Sequence, residues 1–325
     1  MSARVVVALG DELRGRVLAG ADLDRLAAAA DVVVSLDPAE LTAADVCVTG
    51  WDTPPLPPSS YADGARLRLV AHTGGSVRYL IPAAALDRGV RVTQVAAVLA
   101  EAVAEFAVMS IIAGLRDSVG FATALRASEP WADLAARPPG RLLRDRTVGI
   151  VGASRTGRAT LHRLRPFGCR CLVYDPFLDK ADAAALGAEP VDLQRLLRDS
   201  DVVSLHAPVL PATRGMIGAA QVAALRPGAL VVNTARSALV DGVALLAAAR
   251  AGRVRVVTDV FDAEPLPVDD PWRRADGVVA TPHIAALTAD TLREQGAVTV
   301  DEVLRFLAGR PLEHEITRAA YDTAA

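Results

Sequence analysis

The chain has 325 residues, of which 52% are hydrophobic and 22% charged, with a formal net charge of −3. This is the composition of a soluble globular protein, longer than one core usually serves, with no bias toward nucleic acid or an acidic membrane surface. Its three cysteines, Cys47, Cys169 and Cys171, make no disulfide framework; the last two share a strand face but lack partners at zinc spacing, so no metal site is expected.

The first residues, MSARVVVALGDE, hold one Arg and a six-residue apolar run before Asp11, too short for a signal peptide or a membrane span. Residues 1–95 read as a small α/β unit. RVVVALG, DVVVSL, DVCVTG and LRLVAHTGG are its candidate strands, with Ala-rich helical stretches between them. TPPLPPSS (53–60) is a proline-rich surface loop within that unit, because the strand pattern resumes after it. LAEAVAEFAVMSIIAGLRD (99–117) predicts a long helix; Glu101 and Glu105 argue against a bilayer segment, and the cytoplasm is the expected location. An irregular Pro- and Arg-rich stretch runs on to 146.

From 147 to 284 one pattern recurs six times. TVGIV (147–151), RCLVY (170–174), DVVSL (201–205), ALVVN (229–233), VRVVT (254–258) and VVAT (278–281) are short Val-rich runs separated by helical segments. Such runs read as buried parallel strands in βα units. Gly152, Asp175, His206, Arg236, Asp259 and His283 stand at or just past their carboxyl ends, where open parallel sheets bind ligands. A last helical run covers 288–308. A long helix on each side of the six-strand unit predicts an inserted domain. Residues 1–98 plus 289–325 then form one discontinuous domain and 99–288 the other, with the two helices as hinge.

VGIVGASRTGR (148–158) follows a strand and opens a helix, so Gly152 and Gly157 occupy the first and third glycine positions of G-x-G-x-x-G, with Ser154 in the middle. The first glycine permits the tight turn and the third permits close helix–strand packing, while the helix N-terminus offers N–H groups to a pyrophosphate. Asp175, 23 residues after Gly152, suits a ribose-binding acid. Its carboxylate accepts from the 2′-OH of NAD and repels a 2′-phosphate, and Pro176, Phe177 and Leu178 bring no arginine to reverse that. NAD is therefore the expected cofactor, and an NADP-dependent reductase is disfavoured.

Asn233-Thr234-Ala235-Arg236 follows the fourth of these strands, Asp259 and Glu264 the fifth, and His283 the sixth. Arg236 offers a planar fork for a carboxylate, His283 moves a proton near neutral pH, and a carboxylate orients the imidazole and favours its charged form. Beside NAD, that set suits hydride transfer between a 2-hydroxy acid and its 2-oxo acid. Taken singly, Arg236 is also readable as a surface arginine and His283 as a helix cap.

NTARSALVD, DVFDAEPLP, TPHIA, SLHAPVLPATRGMIG and the glycine loop resemble the D-isomer-specific 2-hydroxyacid dehydrogenases, the family of phosphoglycerate, glyoxylate and formate dehydrogenases. The resemblance covers nearly the whole chain and is most specific from 147 to 290. It implies two Rossmann-like α/β domains, a six-stranded parallel doubly wound nucleotide-binding domain inserted into a smaller flavodoxin-like substrate domain. It implies that Arg236 binds the substrate carboxylate and polarises the carbonyl, that His283 donates the proton and that Glu264 pairs with it. The NAD site would comprise Gly152, Ser154, Arg155, Thr156, Gly157, Asp175, Thr234, Ala235, Asp259 and Ala286. The loop Gly75, Ser76 and Val77 would present backbone N–H groups to the substrate carboxylate. A small 2-oxo or 2-hydroxy acid is the implied partner. The resemblance and the apolar helix 99–117 also point to a homodimer, with that helix and the arm to 146 against the partner's nucleotide domain.

Several positions depart from the family's pattern: Ser154 for the middle glycine, Arg78-Tyr79 for Asp-Asn, Leu99 for Asn, Ser237 for Gly after the arginine, and Ala286 for Gly after the histidine. None removes a reacting group; they bear on substrate identity and cofactor affinity. Arg78 reads either as a second positive charge for a diacid or phosphorylated substrate or as a surface arginine, and His206 as structural or as touching the cofactor pocket. The competing class is an NAD-sensing, corepressor-like binding protein on the same fold. The lack of long polar tails weighs against it, and the lack of a C-terminal regulatory domain separates the chain from many phosphoglycerate dehydrogenases.

Overall fold

The structure is a computed structural model that describes residues 2–322. The outer limits of the first domain as read above, 1 and 325, lie outside the described residues. The chain divides into two compact units, Met1–Leu99 with Leu287–Ala325, and Ala100–Ala286.

The first unit is a five-stranded parallel sheet of β1 (Arg4–Ala8), β2 (Asp31–Val34), β3 (Val46–Thr49), β4 (Leu69–His72) and β5 (Arg91–Gln94), in the order β2-β1-β3-β4-β5. This is the flavodoxin-like doubly wound order. Alternate residues feed two cores: Val6, Cys47, Val70 and Val92 face one side, Val5, Val7, Val48 and Leu69 the other. Burial on both faces is why β1, β3 and β4 read as continuous apolar runs. The strand β5, RVTQ, was not among the candidate strands. Three of its four residues are polar, and its buried state comes from tertiary pairing: Gln94 N donates to His314 O and Ile316 N to Val92 O.

The second unit holds β6 (Thr147–Val151), β7 (Arg170–Tyr174), β8 (Glu189–Pro190), β9 (Val202–Leu205), β10 (Ala229–Asn233), β11 (Val254–Thr258) and β12 (Val278–Ala280). All pair in parallel in the order β12-β11-β10-β9-β6-β7-β8, a Rossmann sheet with one strand added. The six expected strands are present. The seventh, β8, is a two-residue edge strand too short to leave a periodic signal. The interior strands bury both faces, with Val151, Leu172, Val203 and Val231 on one side and Val148, Ile150, Val173 and Val232 on the other.

The arm after the long helix Ala96–Arg116 is less irregular than its composition suggests. Ser118–Arg126 and Trp131–Ala136 are short helices, the first starting after Asp117 in a left-handed conformation. Ala96–Arg116 is long and apolar enough to cross a membrane. Within the second unit, Ile111 and Leu115 are buried, and Arg163 pairs with Glu101 at 2.5 Å. Side-chain caps recur at helix starts, with Ser154, Asp179, Asp192 and Asp241 each accepting from a first-turn N–H, at about 1 kcal/mol apiece.

Candidate active site

In the second unit the chemistry gathers where the strand order turns back, around the carboxyl end of the central strand β6. Gly152 leaves β6 with φ +95°, a region that only glycine enters without strain, and a Cβ there would meet Ala207 N at 2.6 Å. Gly157 lies so close to the turn that a Cβ would meet Gly152 O at 2.1 Å. Both positions therefore need glycine for the reasons a dinucleotide loop requires.

Ser154 does not need it. Its φ is −61°, and it caps the helix Arg155–Leu164, its Oγ accepting from Gly157 N at 3.3 Å. Serine at the middle position thus exchanges closeness of backbone for a cap, while Arg155, exposed, and Thr156, half-buried, open the first turn. The Asp175 carboxylate sits at the end of β7 beside this loop. Its Oδ2 accepts from Ala153 N at 2.7 Å and its Oδ1 from Phe177 N at 2.9 Å, so it also holds the glycine loop in place.

Two buried polar atoms at the ends of neighbouring strands have no protein partner, His206 Nδ1 after β9 and Thr234 Oγ1 after β10, and His206 packs against Gly152 and Gly157. The other His206 nitrogen, Nε2, is 2.9 Å from Ser204 Oγ. Burial pulls its pKa down to about 4, so the ring is neutral. Orphaned buried polar groups beside a glycine cradle, with an acid on the next strand, fit an adenine dinucleotide.

The reacting set lies on β10, β11 and β12, neighbours in the sheet. Asn233 is 4% exposed and builds the turn that follows it. Its Oδ1 accepts from Ala235 N at 3.1 Å and its Nδ2 donates to Arg236 O at 3.0 Å, which places Ala235 and Arg236. Arg236 is exposed, with Nη1 donating to Ala235 O at 2.7 Å. Glu264 Oε1 accepts from Phe261 N at 2.9 Å, which aims Oε2 at His283 Nδ1, 2.6 Å away. Both side chains are partly exposed, and His283 takes φ +55°, a rare conformation for a residue with a Cβ.

Asp259 supplies the hold for that conformation. It is fully buried at the end of β11. Its Oδ1 accepts from Thr281 Oγ1 at 2.6 Å and Ile284 N at 2.9 Å, and its Oδ2 from Ala285 N at 2.8 Å. The carboxylate thus clamps both flanks of His283. Sequence reasoning placed Asp259 against the cofactor and missed this clamp, along with Thr281 and the Asn233 turn. The Asn and Thr lay in the quoted motifs, but their partners are set by the sheet. Ala286, half-buried, closes the second unit.

In the first unit, the loop after β4 carries Gly75 and Ser76, half-buried, and Val77, buried. Val95 N donates to Gly74 O at 3.1 Å, and Leu80 N to Val77 O at 2.9 Å. The Arg78 guanidinium turns to the C-terminal segment, 3.4 Å from Asp322 O. Among the described residues no group of three or more His, Cys, Asp or Glu could hold a metal ion.

Residues 108–285 match the family described as D-isomer specific 2-hydroxyacid dehydrogenase, NAD binding domain. The chain is 34% identical over 305 residues to the D-3-phosphoglycerate dehydrogenase of Mycobacterium leprae, covering 94% of itself and 55% of that protein. It is 34% identical over 261 residues to the glyoxylate reductase of Korarchaeum cryptofilum, covering 79% and 78%. A crystal structure of a Thermus thermophilus protein superimposes with a TM-score of 0.81 at 30% identity, covering 96% of this chain and 99% of that one. The chain spans about half the length of the phosphoglycerate dehydrogenases it matches.

Proposed function

The chain belongs to the D-isomer specific 2-hydroxyacid dehydrogenase family, with NAD as its cofactor, and from that premise we propose that it interconverts a 2-oxo acid and its D-2-hydroxy acid. The observation that carries the reading is the His283–Glu264 contact at 2.6 Å, on the strand ends next to the one that bears Arg236. A proton donor, its carboxylate and a carboxylate-binding fork have no shared task in a merely structural sheet edge.

In the proposed reduction, bound NADH supplies the hydride to the carbonyl carbon. The Arg236 fork holds the substrate carboxylate and draws electron density toward the carbonyl oxygen. Imidazolium His283 would give its proton to that oxygen, which becomes the hydroxyl of the 2-hydroxy acid, leaving the imidazole as the neutral base for the reverse reaction. Glu264 stabilises the imidazolium and fixes the ring through Nδ1, leaving Nε2 for the substrate. Asp259 positions His283 through the Thr281 hydroxyl before it and the Ile284 and Ala285 N–H groups after it. In the first unit, the backbone N–H groups of the Gly75–Val77 loop would be donors for a carboxylate, as the family resemblance implies. On the cofactor side, Gly152, Ser154, Arg155, Thr156 and Gly157 hold the pyrophosphate and Asp175 the adenosine ribose. Thr234, Ala235, Asp259 and Ala286 would complete the NAD site.

The proposal includes a homodimer and a cytoplasmic location. It is tested by following NADH consumption with a panel of 2-oxo acids: turnover of at least one, abolished in His283→Ala, is the expected result, and no turnover of any overturns it.

A further inference from the structure

We propose that Cys169 and Cys171 form a peroxide-responsive dithiol, a modification site at which a hydroperoxide leaves a reversible disulfide across Arg170. The pair stands at the start of β7 in the second unit, Cys169 one position before the strand and Cys171 second within it. Residues two apart along an extended chain share a face. Both cysteines pack on the core that includes Val148 and Leu164, while Arg170 between them reaches Glu189 of β8 at 2.7 Å.

The two sulfurs are 3.9 Å apart. A disulfide bond is about 2 Å long, so each sulfur has only about 1 Å to travel. Their access to a reagent is unequal, since Cys169 is half-buried and Cys171 is 7% exposed. A hydrogen bond from Cys171 holds the Cys169 thiol below the ordinary cysteine range, against its partial burial. The same bond, with burial behind it, pushes the Cys171 thiol up. The pair thus divides into an accessible attacking sulfur and a sheltered resolving one. Cys47, the third thiol, lacks both features: it is fully buried in the first unit, and burial pushes it up to about 12.

The chemistry takes two steps. Cys169 Sγ attacks one oxygen of the peroxide, so an S–O bond forms as the O–O bond breaks, and the thiol proton leaves with the released hydroxide as water. Cys171 Sγ then attacks the Cys169 sulfenic acid. The S–S bond forms, the S–O bond breaks, and the Cys171 proton leaves with that hydroxide as a second water. Each sulfur gives up one electron, and the peroxide takes both.

The product is easily undone. Cα atoms two residues apart in a strand are separated by about 6.6 Å, near the upper limit that a disulfide spans. Closure therefore draws in the start of β7, next to Gly168, which already turns with φ +65°. A disulfide closed against the strand's own geometry is readily reduced by thiols.

The test exposes the intact, reduced protein to equimolar hydrogen peroxide, alkylates the remaining thiols, digests with trypsin and weighs the peptides. Trypsin cuts after Arg170, so the disulfide appears as two joined peptides short of two hydrogens, separated again if glutathione is added before digestion. Joined peptides in most chains, with Cys47 alkylated, are the expected result. Cys171→Ser should stop at a Cys169 sulfenic acid that dimedone captures, and Cys169→Ser should form neither product. An unmodified Cys169, its passage to sulfinic acid without joined peptides, or a disulfide between two chains overturns the proposal. So does dimedone capture at Cys171 in Cys169→Ser. The wild-type digest decides the site even where a variant does not fold.

Discussion

His283 Nδ1 lies 2.6 Å from Glu264 Oε2, and the two residues come from loops after adjacent strands, β12 and β11. The carboxylate is itself aimed by Phe261 N on its other oxygen. The contact fixes the ring nitrogen facing Glu264 and leaves the other one for chemistry. Glu264→Gln keeps shape and a hydrogen bond but removes the negative charge beside the ring, so kcat for reduction should fall with NADH binding kept. His283→Ala should lose roughly 10²–10⁴-fold in turnover with NADH binding largely kept. The measurement is kcat and kcat/KM for reduction, wild type beside Glu264→Gln; unchanged values would remove the pairing from the mechanism.

Arg236→Lys keeps the charge and loses the fork. Charge-assisted hydrogen bonds contribute roughly 1.5–3 kcal/mol each, so losing one lowers kcat/KM on the order of 10- to 100-fold. Both KM and kcat should suffer, because one group binds the carboxylate and polarises the carbonyl. An unchanged kcat/KM for the best 2-oxo acid would contradict the role given to Arg236.

Asp175→Ser should narrow the preference for NADH over NADPH by removing both the 2′-OH acceptor and the repulsion of a 2′-phosphate. The bond from Ala153 N to Asp175 adds a consequence, since the variant also loosens the glycine loop. The KM for NADH should therefore rise even as the preference narrows. Equal use of NADPH and NADH by the wild type would show that Asp175 does not discriminate.

A dimer should be visible by light scattering at micromolar concentration. The second unit leaves Met109, Val119, Leu125 and Trp131 exposed between 43% and 78%, an apolar stretch of the long helix and the arm after it. A monomer mass would count against the partner contact placed there.

Burial holds His72 and His206 neutral, with pKa values lowered to about 4. Unfolded, each takes up a proton near 6.5. Between pH 6.5 and 4 the unfolded chain therefore binds more protons, and stability falls as pH falls through that window. His206→Asn should flatten the dependence of Tm on pH there if the variant folds, and His72→Gln offers the same reading in the other unit. Thermal melts at pH 7, 6, 5 and 4 give the slope, and an identical slope in both variants would mean that these rings do not contribute it.

The Val-rich runs from 147 to 281 and the residues at their ends were legible in the sequence because they are local. A strand buried on both faces must be apolar along its length, and the residue ending it must be the one that faces a ligand. The glycines at 152 and 157 were legible because part of their demand is local, the positive φ at Gly152 and the approach of Gly157 to Gly152 O. The strand β5 was not, because three of the four residues of RVTQ are polar and it is covered by pairing with β4 and with the returning segment around His314 and Ile316. Nor was β8, where two residues carry no period. The candidate side chains could be named from the sequence, but what holds them could not. The Asp259 clamp on Thr281, Ile284 and Ala285 spans more than 20 residues, and the bond from the Tyr79 hydroxyl to Gly50 O spans 29. Residue type says what a group can donate or accept; only the tertiary fold decides which partner stands within 3 Å of it.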